Sequence, residues 1–202
     1  MRRRPFLAVA AGLFAGCGSI GSPASERDDA TVTPAPVPTD EATPDVGRQR
    51  FADEGCLTFD HRTHRTVCSH TQPPDASLRL TPDRAVAALD GDRLAEPVRF
   101  TLQWSATGSL SVFADSWYLL RKTDDGWDSV ATATGQTPGH QLQPGERYYW
   151  LLDTVDRATN DRTEPVVTDL VPGRYALGVQ TVGAASATYS ECLALFDVVA
   201  SG

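Results

Sequence analysis

Val98, Phe100, Leu102 and Trp104 alternate with Arg99, Thr101, Gln103 and Ser105. A period of two sets one face of a strand in a core and the other in solvent. The same rhythm recurs between turn residues, predicting further strands at residues 77–81, 116–122, 127–132, 147–153, 174–181 and 187–199. The inward set of the last strand is Cys192, Ala194, Phe196 and Val198. Thr123-Asp124-Asp125-Gly126, Gln143-Pro144-Gly145-Glu146 and Val171-Pro172-Gly173 supply the turns, with glycine where a positive φ is wanted. No stretch has the apolar spacing of a long amphipathic helix. About seven strands separated in this way predict an all-β domain, an antiparallel β-sandwich spanning residues 76–202.

The pattern fails ahead of the domain. Residues 18–50 are Ser, Thr, Pro, Asp, Glu and small side chains around Thr33-Pro34-Ala35-Pro36-Val37-Pro38-Thr39. This is the composition of a disordered linker that extends at ~3.1 Å per residue, and of stalks that carry O-linked sugar. Upstream, Arg2-Arg3-Arg4 leads into an apolar run from Phe6 to Ala15. Such a run makes a helix of about 15 Å, half the hydrocarbon thickness of a bilayer, so it reads as an export signal and not as a spanning helix. The organisation expected is a signal over 1–16, a linker over 17–50, a hairpin over 51–75 and the sandwich over 76–202.

Arg3-Arg4-Pro5-Phe6-Leu7 resembles the twin-arginine export motif, and Leu13-Phe14-Ala15-Gly16-Cys17 resembles a lipoprotein lipobox. The resemblance implies cleavage before Cys17, lipid on its sulfur, and a mature protein held on the outer face of the cell membrane by two acyl chains. An ordinary secretory signal with an incidental cysteine is the plainer alternative. The order Trp117-Tyr118-Leu119-Leu120, Asp125-Gly126-Trp127, Leu142-Gln143-Pro144-Gly145-Glu146 and Leu170-Val171-Pro172-Gly173-Arg174-Tyr175 is similar to bacterial immunoglobulin-like domains of secreted lipoproteins. That likeness implies an immunoglobulin-like sandwich, gives Tyr175 the part of a tyrosine corner, and brings no catalytic residue.

Loss of residues 1–16 would remove three arginines, so the net charge of −8 becomes 15 minus 26, or −11. Nucleic acid, which needs clustered Lys and Arg, is not an expected partner. The chain holds nineteen Asp to seven Glu and seventeen Arg to one lysine, Lys122. This usage resembles the proteins of salt-loving archaea.

With Cys17 assigned to lipid, Cys56, Cys68 and Cys192 remain. Folding residues 56–68 about Arg62 sets Cys56 opposite Cys68, Leu57 opposite Val67 and Thr58 opposite Thr66. A disulfide is the favoured reading, and an exported setting permits it. The rivals are differently paired or free thiols and a metal site, for which His61, His64 and His70 are the candidates. No Cys-x-x-Cys or helical His pair supports a metal. A blue-copper centre lacks its parts, since Met1 is the one methionine and no histidine follows Cys192.

No nucleophile elbow or Cys/His pair points to hydrolysis, and no Gly-rich loop to phosphate. Asp124, Asp125 and Asp128 fit a hairpin turn better than a calcium loop. Asp153, Asp156, Asp161 and Glu164, with Arg157 and Arg162, read as a solvated loop before they read as a cation site. Trp104, Trp117, Trp127 and Trp150 fill cores more often than they stack on sugars. The expectation is a lipid-anchored, non-catalytic interaction or structural module without a cofactor, contacting membrane lipid through Cys17 and a surface protein or polymer through its domain. The alternative is an extracytoplasmic small-ligand or metal carrier using the Cys/His-rich hairpin.

Overall fold

A computed structural model describes residues 46–59, 65–135, 139–183 and 189–201. The export motif with Arg3 and Arg4, the lipidation candidate Cys17, most of the linker, and His61 and His64 lie outside the described residues. One helical turn, α1 (Val46–Arg50), precedes β1 (Arg65–Cys68), β2 (Leu78–Pro82), β3 (Val86–Asp90), β4 (Arg93–Leu94), β5 (Val98–Trp104) and β6 (Leu110–Thr123). There follow β7 (Gly126–Thr134), β8 (His140–Leu142), β9 (Arg147–Asp153), β10 (Thr163–Val167), β11 (Gly173–Gly183) and β12 (Tyr189–Ala200).

These strands form the expected all-β sandwich of two sheets. The larger runs β4-β3-β12-β11-β6-β7, with β1 beside β12 and β8 beside β6; the smaller runs β10-β9-β5-β2. The inward set anticipated for β12 is buried, from Cys192 to Val198. Across from it lie Leu80, Phe100, Leu102, Trp150 and Leu152 of the smaller sheet, all 0% exposed. Phe100 meets Phe196 edge to face at 5.3 Å, which joins the two layers. Burying a side chain of this size contributes about 2 to 3 kcal/mol. Tyr175 turns its hydroxyl back to Val171, donating to the carbonyl at 2.8 Å and accepting from the amide at 3.1 Å.

The sheets differ from a purely antiparallel pair in three places: β1 and β3 run parallel to β12, and β10 runs parallel to β9. These strands are short, and two of them hide their alternation, β3 behind alanines and β10 behind Pro165. Pro165 is tolerated because β10 is an edge strand.

The disulfide joins Cys56 to Cys68, with their Cα atoms 5.5 Å apart. Thr58 Oγ1 and Thr66 Oγ1 are 2.8 Å apart, the pairing read from the sequence. The second arm is strand β1 and belongs to the larger sheet, whereas residues 51–59 run as an irregular strap across that sheet's outer face. Phe51, 1% exposed, sits among Ala85, Leu120, Ala176 and Leu195, with Phe59, Tyr118 and Trp127 at the margin. Arg174 lies over the Phe51 ring, its guanidinium carbon 4.8 Å from the ring centre. The same arginine bonds Glu54 at 2.6 Å and Asp197 at 2.9 Å, while Arg50 reaches Asp197 at 2.6 Å and Lys122 reaches Glu54 at 2.5 Å. The helical turn Val46–Arg50 and the strap after it are therefore locked to the sandwich by charge, disulfide and a buried ring.

Candidate functional site

Of the cysteine–histidine cluster, the described members Cys56, Cys68 and His70 are spent on this lock. The two sulfurs are bonded to each other, so neither is a thiolate donor. His70, 6% exposed, donates from Nε2 to the carbonyl of Glu54 at 3.0 Å and so ties the strap to the turn after β1. Among the described residues, no group of three His, Cys, Asp or Glu side chains is arranged to hold a metal ion. Cys192 is free and fully buried, and burial pushes its thiol up to about 12, which leaves it protonated and unreactive at neutral pH.

Two clefts flank the loop 154–162. The first, about 380 Å³, opens at one end of the sandwich between β6, β8, β9 and β10; Asp115, His140, Tyr148, Asp161 and Glu164 line it. Its floor is fixed from the core outward. Trp150 donates from Nε1 to the carbonyl of Ala114 at 3.1 Å, Tyr148 packs edge-on against Trp150 at 5.0 Å, and His140 leans on Tyr148 at 4.9 Å. The rim is set by Asn160, whose Oδ1 accepts from Arg162 N and Thr163 Oγ1, each at 3.0 Å.

The electrostatics of this cleft are the reverse of those at the strap. Burial first, and then the charge of Asp115, hold the Glu164 carboxyl above its ordinary range, against a smaller pull from His140. Tyr148 is pushed up to about 12 by burial and by Glu164 and Asp115. Glu54 is held low by the Lys122 hydrogen bond, against burial, with Arg174 adding to it. Burial opposes ionisation of Asp197, yet hydrogen bonds from Arg174 and Arg50 leave its carboxyl below the usual range. Glu146 is lowered by the Gln143 amide and then by Arg162.

The second cleft, about 500 Å³, lies on the outer face of the smaller sheet and is lined by Arg99, Tyr149, Leu151, Ala158, Thr159, Asn160 and Thr163. Strand registers array that face in rows: Arg99–Leu151–Pro165, Thr101–Tyr149–Thr163, and Arg79–Gln103–Arg147. Asp153, at the end of β9, is buried and ion-paired with Arg157 of the loop.

None of the four tryptophans lines either cleft. Trp117 and Trp150 are buried, Trp104 donates to the carbonyl of Gly108 at 2.8 Å, and Trp127 meets Phe59 at 6.1 Å. Of the acidic loop, Asp153 is engaged with Arg157 while Asp161 and Glu164 face the first cleft. Asp115, Tyr148 and His140 carried no signal as a site in the sequence, because the cleft unites four strands far apart in the chain.

No family model and no curated protein matches this chain. Among solved structures, it is similar to the X-ray structure of Northeast Structural Genomics Consortium target SoR45, with a TM-score of 0.41 and 12% identity over 62% of this chain and 88% of that chain.

Proposed function

We propose that this chain is a twin-arginine-exported lipoprotein, anchored through Cys17 on the outer face of the cell membrane, whose sandwich is a non-catalytic interaction module for a surface protein or polymer. The observation that carries the reading is the unequal treatment of the two outer sheet faces. The larger sheet's face is covered in part by the strap, which buries Phe51 to 1% exposure and leaves Val86 and Val199 open at its far side. The smaller sheet keeps Arg99, Tyr149 and Leu151 around an open cleft, with Val167 42% exposed at its edge strand. An aromatic ring, aliphatic side chains and a guanidinium on one rigid face are the ingredients of a contact surface.

A photo-crosslinking residue placed at Tyr149 of the lipidated protein in intact cells tests this. A discrete adduct from position 149, absent when the probe replaces Asp92 in the turn between β3 and β4, is the expected result. Equal labelling from both positions, or none from 149, would sink the proposal.

A further inference from the structure

We propose that the end cleft receives the guanidinium of an arginine side chain from a partner polypeptide, with Glu164 as its counter-charge, the Tyr148 hydroxyl at its floor and the exposed ring of His140 as the wall it stacks on. The inference rests on the interaction-module reading only for the source of the arginine.

Two groups in the cleft want a partner. Glu164 is half-buried on the inward side of β10, and among the described residues its carboxylate makes no hydrogen bond or ion pair. Tyr148 is 2% exposed and lines the cleft, and its hydroxyl likewise meets no hydrogen-bonding group among the described residues. An ionised carboxylate taken partly out of water is costly unless a cation joins it. Elsewhere this chain supplies one: Glu54, Glu96, Glu146, Asp153 and Asp197 each meet an arginine. The described lining of the end cleft contains no Arg or Lys.

The shape of the site selects the cation. Among the described residues no three ligands converge on a point, as a metal ion requires. Glu164 and Asp115 interact electrostatically across an open cleft of about 380 Å³, walled by the histidine ring that leans on Tyr148. A guanidinium offers five donors in a flat fork and stacks on rings, where an ammonium is a compact, strongly hydrated point charge.

Titration of the mature chain with N-acetyl-argininamide, against the neutral isostere N-acetyl-citrullinamide, tests the proposal by NMR at the His140 and Tyr148 rings. The expected result is saturable shifts with the arginine compound and none with citrulline. Removing the charge-assisted pair in Glu164→Gln should weaken binding about tenfold or more. Because Glu164 faces Asp115, Asp161, His140 and Tyr148, affinity should fall as pH drops through its raised range. Glu164→Gln is also expected to melt higher than the parent, so lost binding is not lost folding; Tyr148→Phe is a second variant with a smaller loss. Binding of neither compound, equal binding of both, or unchanged binding by Glu164→Gln would overturn the proposal. Failure here leaves an adduct from position 149 unaffected, and absence of that adduct with arginine binding intact would remove only the interaction-module reading.

Discussion

Tyr118 lies flat over Gly178, its register partner on the neighbouring strand: a Cβ added at Gly178 would sit 2.0 Å from Cζ of the tyrosine. The bare backbone lets the ring lie down and deliver its hydroxyl to Glu191, a carboxylate that is 0% exposed and also accepts the Phe59 amide at 3.2 Å. One glycine thus lets the sheet bind the strap that covers it.

Gly178→Ala should therefore lift Tyr118 off the sheet and take one donor from buried Glu191, at a cost of about 2 to 4 kcal/mol, while Tyr118→Phe, which keeps the ring, should cost about 1 to 3 kcal/mol. Denaturant melts of the two variants check the order. A Gly178→Ala protein as stable as the parent would contradict the packing.

The strap should be separable from the sandwich. Its disulfide closes a loop of sequence separation 12, worth about 3 kcal/mol in the chain-entropy model. The Cys56→Ser, Cys68→Ser double variant should lose about that much stability and gain amide exchange over residues 51–59 first. Phe51→Ala should cost a similar amount, about 3 kcal/mol, by emptying the pocket between Ala85, Leu120, Ala176 and Leu195.

Acid should act in opposite senses at the two ends of the molecule. Glu54 and Asp197 have folded-state pKa values below their unfolded ones, so their stabilisation is present above the unfolded pKa and is lost as pH falls through the folded pKa. Glu164 has a raised folded-state pKa, so its ionisation weakens the fold as pH rises from the unfolded value through the folded one. Melting temperatures across pH should show Glu164→Gln above the parent at neutral pH, with the gap closing in acid. Asp197→Asn should melt below the parent at neutral pH, with that gap also closing in acid.

The legible parts of this fold were those with long alternation and explicit turns. β5, β9 and the core of β12 stand where period two places them, and the Cys56–Cys68 and Thr58–Thr66 pairings follow from symmetry about one turn. β3, β4, β8 and β10 were hidden by alanines, brevity or Pro165. The strap's role was hidden for another reason: Phe51 and Arg174 are more than a hundred residues apart, and only the folded sheet stacks one upon the other. For the same reason Glu164 read as one more loop carboxylate until β10 turned it inward.

The anchor has its own test. Intact mass of the membrane-extracted protein should correspond to a chain starting at Cys17 with added lipid and one disulfide, gaining two hydrogens on reduction. A soluble species beginning elsewhere would refute the anchoring.

Hydroxyl-radical footprinting of the protein on intact cells, compared with the purified chain, bears most directly on the open face. Purified protein should be labelled at Tyr149, Leu151 and Val167 and spared at Phe51; on cells, Tyr149 and Leu151 should become protected while Val86 and Val199, 37% and 40% exposed on the larger sheet, stay labelled. Undiminished labelling of Tyr149 on cells would contradict the assignment of that face to a partner.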